Sequence, residues 1–506
     1  MAASEQLGAC ASPSDSPLLS TLDWAYDTYL KEHRRWDGAA RGKTLGGTGA
    51  INAQMWVVGD PKDWDTIEEE QWAWSRIAPL FEWLNGKFDT RLVSRGNRTL
   101  AAMMKAFKNM QVVEDHQQAV LEGLVASPIS YTRQNNSLSE RQNPFSVLVE
   151  PLLAGGQVTV VDAATVERVV LNAQREAVGV VFSVPGAGAH FVAARREVVL
   201  CAGAFNSAQL LLLSGIGPRA ELARHSIPCV ADLPVGQGLA EHCYTRTSAF
   251  LREPCDRTDG AFIDATGFWK SAWSQQHEPH RGRDLQLALY AAPPRELSLN
   301  VAVMDLVARV FALGPRESLR GRLFMFAHRV LVAALGASGL LDGKLRRAAT
   351  VAVPLNHPRS RGSLTLRSAD PHDAPLIDLG MLSAPEDQQR LIEATRLTLA
   401  AWKTEPLASL VESIEPGAAA LVEAPDAQVL QYILRTCSHA WHPCSTAAIG
   451  RVLDGSLRVK GVARLRVADC SSLPDLPSGN TMVPAFLVGA NAAEIIGAEW
   501  DPKART

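Results

Sequence analysis

The sequence predicts a mixed protein, an α/β layer plus an α+β layer, with the chain crossing between them more than once. Three stretches carry that prediction. First, REVVLCAG (196–203) is a nearly continuous apolar run, the pattern of a strand covered on both faces. NSAQLLLLSGIG (206–217) follows as a helix opened by an Asn/Ser cap and stopped by glycine. Strand, small-residue turn and helix form the α/β unit whose turn meets a ligand at the strand's C-terminal end. Second, VTVVDAATVERVVLN (158–172) and AVGVVFSV (177–184) read as β-branched strands, and PGAGA turns the latter into a returning strand. Third, the C-terminal part closes with strand-like LRVAD, the proline-bounded loop PDLPSGNTMVP and the helix AFLVGANAAEIIG. Between residues 243 and 435 the pattern is mixed and broken by Pro254, Pro279, Pro293, Pro294 and Pro315. There GSLTLRSADP (362–371) reads as strand then turn.

Composition bounds the function. At 506 residues the chain exceeds one compact core and implies about two to four domain-sized units. A net charge of −3 with no basic run argues against nucleic acid as a partner. Eight cysteines lie scattered without a CxxC pair, so neither a disulfide scaffold nor a zinc site is expected. Cys201, inside an apolar run, reads as a small buried thiol. The N-terminus lacks a basic region followed by an apolar core, so no secretory signal is expected. The longest apolar stretch, VLVAALGASGLL (330–341), is too short to cross a bilayer. A reducing, cytoplasmic setting is the expectation. No GxSxG, HExxH or Walker-type loop occurs, which removes the commonest hydrolase and NTPase patterns.

The remaining motifs are ambiguous one by one. GKTLGGTGAINAQMWVVGD (42–60) places several glycines around Asn52, as a turn with something pressed against its backbone would. His442, before a proline in AWHPCST, is alone an ordinary structural histidine, as is His439. Asn480 in SGNT could simply cap the following helix. Their order is less ambiguous: GKTLGGTGAIN, DPKDWD, CAGAFNSAQLLLLSGIGP, SRGSLTLRSADP, HP, then LRVADCSSLPDLPSGNT. That series resembles the glucose–methanol–choline (GMC) oxidoreductases, flavoenzymes that oxidise alcohols. The resemblance runs from about Asp23 to Gly497, with two long signature stretches at 42–65 and 202–218. VGQGLAEH (235–242) is a weaker echo between them.

The resemblance implies a flavin-binding, Rossmann-like domain from residues 1–84, 151–245 and 436–500. It implies a substrate domain on an antiparallel sheet from 85–150 and 246–435. Gly46, Gly47, Thr48, Asn52 and Ala53 match the segment passing along the FAD pyrophosphate and ring. Val166 matches the position whose backbone meets adenine, and Asp469 with Cys470 the strand end near the ribityl chain. His442 matches the active-site histidine, and Asn480, followed by Thr481, its partner. An alcohol gives up hydride to flavin N5 as its hydroxyl proton leaves, and an imidazole titrating near neutrality accepts that proton. A second group that hydrogen-bonds the forming alkoxide orients the carbon. Ile51 stands where some relatives attach flavin through histidine, so the FAD implied here is non-covalent. The implied partner is a small-molecule alcohol.

The sequence also departs from the family pattern. Relatives begin with strand, GxGxxG, helix, strand and an acidic residue, which bind the ADP half of the flavin. Here the corresponding stretch, SEQLGACASPSDSP, is polar and serine-rich. GGTGA falls inside the loop already assigned, and GAGAH (186–190) sits between two strands. The flavin-binding domain is therefore expected to be N-terminally incomplete, with open edges on the neighbouring strands and weakened cofactor affinity. The usual HPxGTCxMG appears as HPCSTAAIG, with Ser445 for glycine, and NLxDH as GLAEH, with Gly238 and Glu241. A shortened stretch between Trp83 and Asn143 implies a reduced lid. Two function classes stay open: an FAD-dependent alcohol oxidoreductase, or a truncated or degenerate member without flavin that binds a ligand or runs non-redox, lyase- or hydrolase-like chemistry.

Overall fold

The computed structural model describes residues 22–30, 35–92, 98–110, 129–131, 133–134, 141–255, 263–291 and 346–500, with scattered helical positions from 327 to 343. The stretch at 330–341 lies largely outside the described residues, and so does much of the segment between Trp83 and Asn143.

The largest sheet is antiparallel throughout. Its order is Val411–Ile414, Cys243–Leu251, Ala348–Pro354, Leu285–Tyr290, Ala265–Trp269, Ile129–Tyr131. Ser438–His439 adds to the start of Cys243–Leu251. Along Cys243–Leu251 alternate residues are buried, as a strand with one face on a core requires. The helix Pro385–Ala401 packs on this strand and on Ala348–Pro354. Leu285–Tyr290 is buried on both faces.

A second sheet runs Gln237–Leu239, Gly362–Thr365, Leu376–Asp378, Tyr26–Leu30, Arg35–Ala39. Only its Leu376–Asp378 and Tyr26–Leu30 pair is parallel. Two strands from residues 362–378 thus pair with segments near both residue 28 and residue 238. Thr165–Leu171, Ala177–Val184 and Gly188–Ala193 form a three-stranded meander, with the turn at 185–187 closing the hairpin as PGAGA predicts.

The parallel α/β layer differs from its sequence pattern. The run REVVLCAG yields only the strand Val198–Leu200, paired in parallel with Leu465–Val467. Among the described residues its other edge has no strand partner. Val199 and Cys201 are exposed, so neither a strand covered on both faces nor a buried Cys201 thiol is found. VTVVD (158–162) forms no strand, and Val161 is 60% exposed. A β-branched run becomes a strand only where a neighbour supplies hydrogen bonds, and none is described beside this one.

The following helix, Gly203–Leu213, begins three residues before the expected Asn/Ser cap. Ser207 Oγ instead accepts from the Ala202 N–H at 3.0 Å, and Asn206 accepts the Tyr26 hydroxyl. Gly215, at φ +80°, stops it as predicted. The C-terminal helix runs Met482–Trp500, longer at both ends than its apolar pattern. By length and composition it could cross a membrane, but Val483, Leu487, Val488 and Ala492 pack into the core.

Candidate active site

The motifs that were distant in sequence converge where the two sheets meet. The register Cys243↔His439 continues as Ala440 N to His242 O at 2.8 Å and a bridge between Ala240 and Cys444. Segments 240–243 and 439–444 therefore run antiparallel, and this lays AWHP against LAEH. His242 Nδ1 then lies 2.9 Å from His442 Nδ1, the two rings perpendicular. Glu241 Oε1 accepts the His442 backbone N–H at 2.7 Å. Trp441, immediately before, sits at φ +60°. Arg41 Nη2 donates to its carbonyl, and its indole N–H donates to Gly38 O. Such a backbone conformation is uncommon for a bulky residue and is held by these contacts.

On the other side, Asn480 Nδ2 lies 3.2 Å from His442 Nε2. Asn480 is therefore no helix cap. Its loop is pinned at three points. Ser478 N donates to Asp63 Oδ2 at 2.6 Å, Gly479 N donates to Asn356 Oδ1 at 3.1 Å, and Gln286 Nε2 stands 3.5 Å from Asn480 Oδ1. Asp63 belongs to DPKDWD, where it closes a capping box with Asp60 on the helix Pro61–Asp65. His442 and Asn480 are both only half-buried, so a face of each stays accessible.

The surroundings set the charge states. Removal from water holds His442 well below the usual histidine range, and His242, Arg41 and His439 push the same way. Burial likewise holds His242 at about 4. His439 goes the other way: burial opposes its charge, yet Glu241, Asp37 and the Gly38 carbonyl together outweigh that and raise it. Its Nε2 hydrogen-bonds Gly38 O, so it remains structural.

The glycine stretch forms a short 3₁₀ turn, Gly47–Ala50. Gly46 (φ +89°) is crowded, since a Cβ there would meet Asn143 Oδ1. Gly47 (φ +56°) differs: a Cβ there would meet nothing within 4 Å. Bare backbone with room beside it, at a left-handed residue, would admit the close approach of a flat cofactor. Thr48 Oγ1 accepts from Gly42 N, and Asn52 Nδ2 reaches Met482 Sδ at 3.0 Å, tying this turn to the Asn480–Thr481 loop. Ala53 packs against the cluster of Met55, Ile263, Ala288 and Ala352. Arg141, which no sequence signal marked, clamps Asn52 O and Oδ1.

Asp469 is engaged within the protein. Oδ2 accepts from Gly203 N and Ser207 Oγ, and Oδ1 from Ser471 N, so the carboxylate joins the ends of both parallel strands. Cys470 Sγ approaches Thr481 O at 3.9 Å. Val166 lies on the meander strand Thr165–Leu171 with its side chain exposed.

Comparison with known proteins completes the description. The N-terminal GMC oxidoreductase profile matches residues 32–244 and the C-terminal one residues 358–489. This chain belongs to the GMC oxidoreductase family. An uncharacterised GMC-type oxidoreductase of Mycobacterium tuberculosis is 31% identical over 94% of this chain and 89% of its own. Oxygen-dependent choline dehydrogenase of Brucella anthropi is 28% identical over 94% and 86%. Ecdysone oxidase of Spodoptera littoralis is 27% identical over 92% and 79%. Among solved structures, pyridoxine 4-oxidase from Mesorbium loti superposes with a TM-score of 0.77 at 19% identity, covering 96% of this chain and 91% of that one. Formate oxidase gives 0.77 at 23%, covering 98% and 92%. These two likenesses speak for the fold alone. FAD is the cofactor of the GMC oxidoreductases, and this chain has their flavin-binding fold.

Proposed function

We propose that this GMC oxidoreductase oxidises the CH–OH group of a small alcohol, with non-covalent FAD as hydride acceptor and His442 as general base. The observation that carries the reading is the 3.2 Å contact between Asn480 Nδ2 and His442 Nε2 at an accessible junction. A hydroxyl seated there meets a lone pair and an N–H donor together. It gives its proton to the imidazole and accepts from the amide as negative charge grows on oxygen. Desolvation keeps His442 neutral near pH 7, in the proton-accepting form. FAD, when bound, supplies the two-electron acceptor. The turn at Gly47 and the Asn52–Met482 contact are the residues that would hold it beside Asn480.

Two measurements test this. The purified chain should show a flavin absorbance spectrum at close to one equivalent, and a colourless, folded protein would refute the oxidoreductase reading. His442→Ala should keep that spectrum while losing roughly 10²- to 10⁴-fold in turnover, the usual contribution of a positioned general base. Undiminished turnover would remove His442 from the mechanism.

A further inference from the structure

An imidazole has two nitrogens, and only one can serve as the base. In this site the choice follows from a residue outside the His442–Asn480 pair. His242 is fully buried, and its nitrogens have different neighbours. Nε2 lies 2.8 Å from the Asn356 carbonyl oxygen, which can only accept, so Nε2 carries a hydrogen. A neutral ring then presents a bare lone pair at Nδ1. Burial enforces that neutrality, holding the group at about 4, even though Glu241 and Asp475 favour its charge. His357 opposes its charge as well.

His442 Nδ1, 2.9 Å away, must therefore be the donor. A neutral His442 has one ring hydrogen, and this contact fixes it on Nδ1. Nε2 is left as the lone pair, facing the Asn480 amide. The far side agrees: Gln286 Nε2 donates toward Asn480 Oδ1, which turns Asn480 Nδ2 to His442. With the other tautomer, two N–H groups would oppose each other at 3.2 Å. The hydrogen bonds thus run in one direction, from Gln286 through Asn480, His442 and His242 to the Asn356 carbonyl.

We propose that His242 is a positioning residue that selects the tautomer of His442 and so makes Nε2 the proton-accepting nitrogen. The inference deepens the proposed function and rests on it for its catalytic meaning, but the tautomer itself is a property of the free chain. When His442 takes a proton at Nε2, its Nδ1–H keeps donating to His242, so the acceptor ring supports the cation as it forms. The proton goes no further, because the Asn356 carbonyl beyond His242 cannot take it.

The test is the imidazole ¹⁵N spectrum of the full chain labelled with ¹⁵N-histidine, with the His442 signals identified by their loss in His442→Asn. The expected pattern at neutral pH is a protonated Nδ1 and an unprotonated Nε2. His242→Phe, which removes the acceptor, should move His442 to a mixture of tautomers and lower kcat about tenfold, a part of what a general base contributes. His242→Asn, which can place Oδ1 where Nδ1 was, should restore both. A protonated Nε2 in the wild type, or a tautomer unmoved in His242→Phe, overturns the proposal. Should His242→Phe fail to fold, the wild-type spectrum still decides. Full turnover in His442→Ala would strike the base assignment instead, while leaving the wild-type tautomer as measured.

Discussion

Ser445 is expected to destabilise this protein, and its replacement by glycine should raise stability. It stands at φ +71°, in the left-handed region, where the family pattern HPxGT has glycine. A side chain in that conformation costs about 1–2 kcal/mol. The Ser445 hydroxyl is also buried and has no hydrogen-bond partner among the described residues. An unpaired buried hydroxyl costs roughly 1–3 kcal/mol. Glycine returns about 0.5–1 kcal/mol to the unfolded chain through its added freedom. The Ser445 N–H to Cys470 O bond at 3.2 Å is backbone and survives the change. The net gain for Ser445→Gly is then about 1–4 kcal/mol. Unfolding entropy near 2 cal/mol/K per residue makes each kcal/mol worth roughly 1 °C in a chain this long, so the midpoint should rise by about 1–4 °C. Calorimetry and urea titration measure it, with Ser445→Ala as the control. Alanine removes the orphaned hydroxyl but keeps the strained backbone, so it should fall between serine and glycine. A Ser445→Gly protein no more stable than wild type, or less stable than Ser445→Ala, would refute the strain argument.

Two further outcomes follow from buried charge. His242 is held at about 4, below its unfolded value of 6.5. The unfolded chain therefore binds more protons between those values, so stability is intact above pH 6.5 and is lost as pH falls toward 4. The loss from this group is on the order of 3 kcal/mol. The wild-type minus His242→Phe difference in unfolding free energy across pH 4–7 should carry that slope, and a flat difference contradicts it. Arg390 is fully buried between Asp387 Oδ1 at 2.6 Å and Asp284 Oδ2 at 3.4 Å. Arg390→Met strands two buried carboxylates and should cost about 3–5 kcal/mol by urea unfolding. A change under about 1 kcal/mol would show that those carboxylates find other partners.

Much of the site was legible because it is written in local chemistry. A glycine turn, a strand that ends at Asp469, and a histidine before proline each need certain residue types at fixed spacing, and the structure brings His442 and Asn480 together as the motif order implied. That no strand forms at 158–162 was not legible. Its valines fit a strand, but pairing depends on a neighbour distant in sequence, and periodicity cannot report whether that neighbour is in place. The start of helix Gly203–Leu213 was missed for a similar reason. Asn206 and Ser207 are good caps by type, yet Tyr26 and the Ala202 N–H claim them inside the first turn.

The sequence by itself determined the family, the cofactor class and the two residues we propose at the reacting centre. Those follow from residue identities that backbone approach and proton transfer demand. Tertiary structure alone decided which nitrogen of His442 faces Asn480. That choice depends on His242, 200 positions earlier in the chain, and on a carbonyl at Asn356. A hydrogen bond's direction is set by which donor meets which acceptor in space, and only the register of Cys243 against His439 brings those groups within reach.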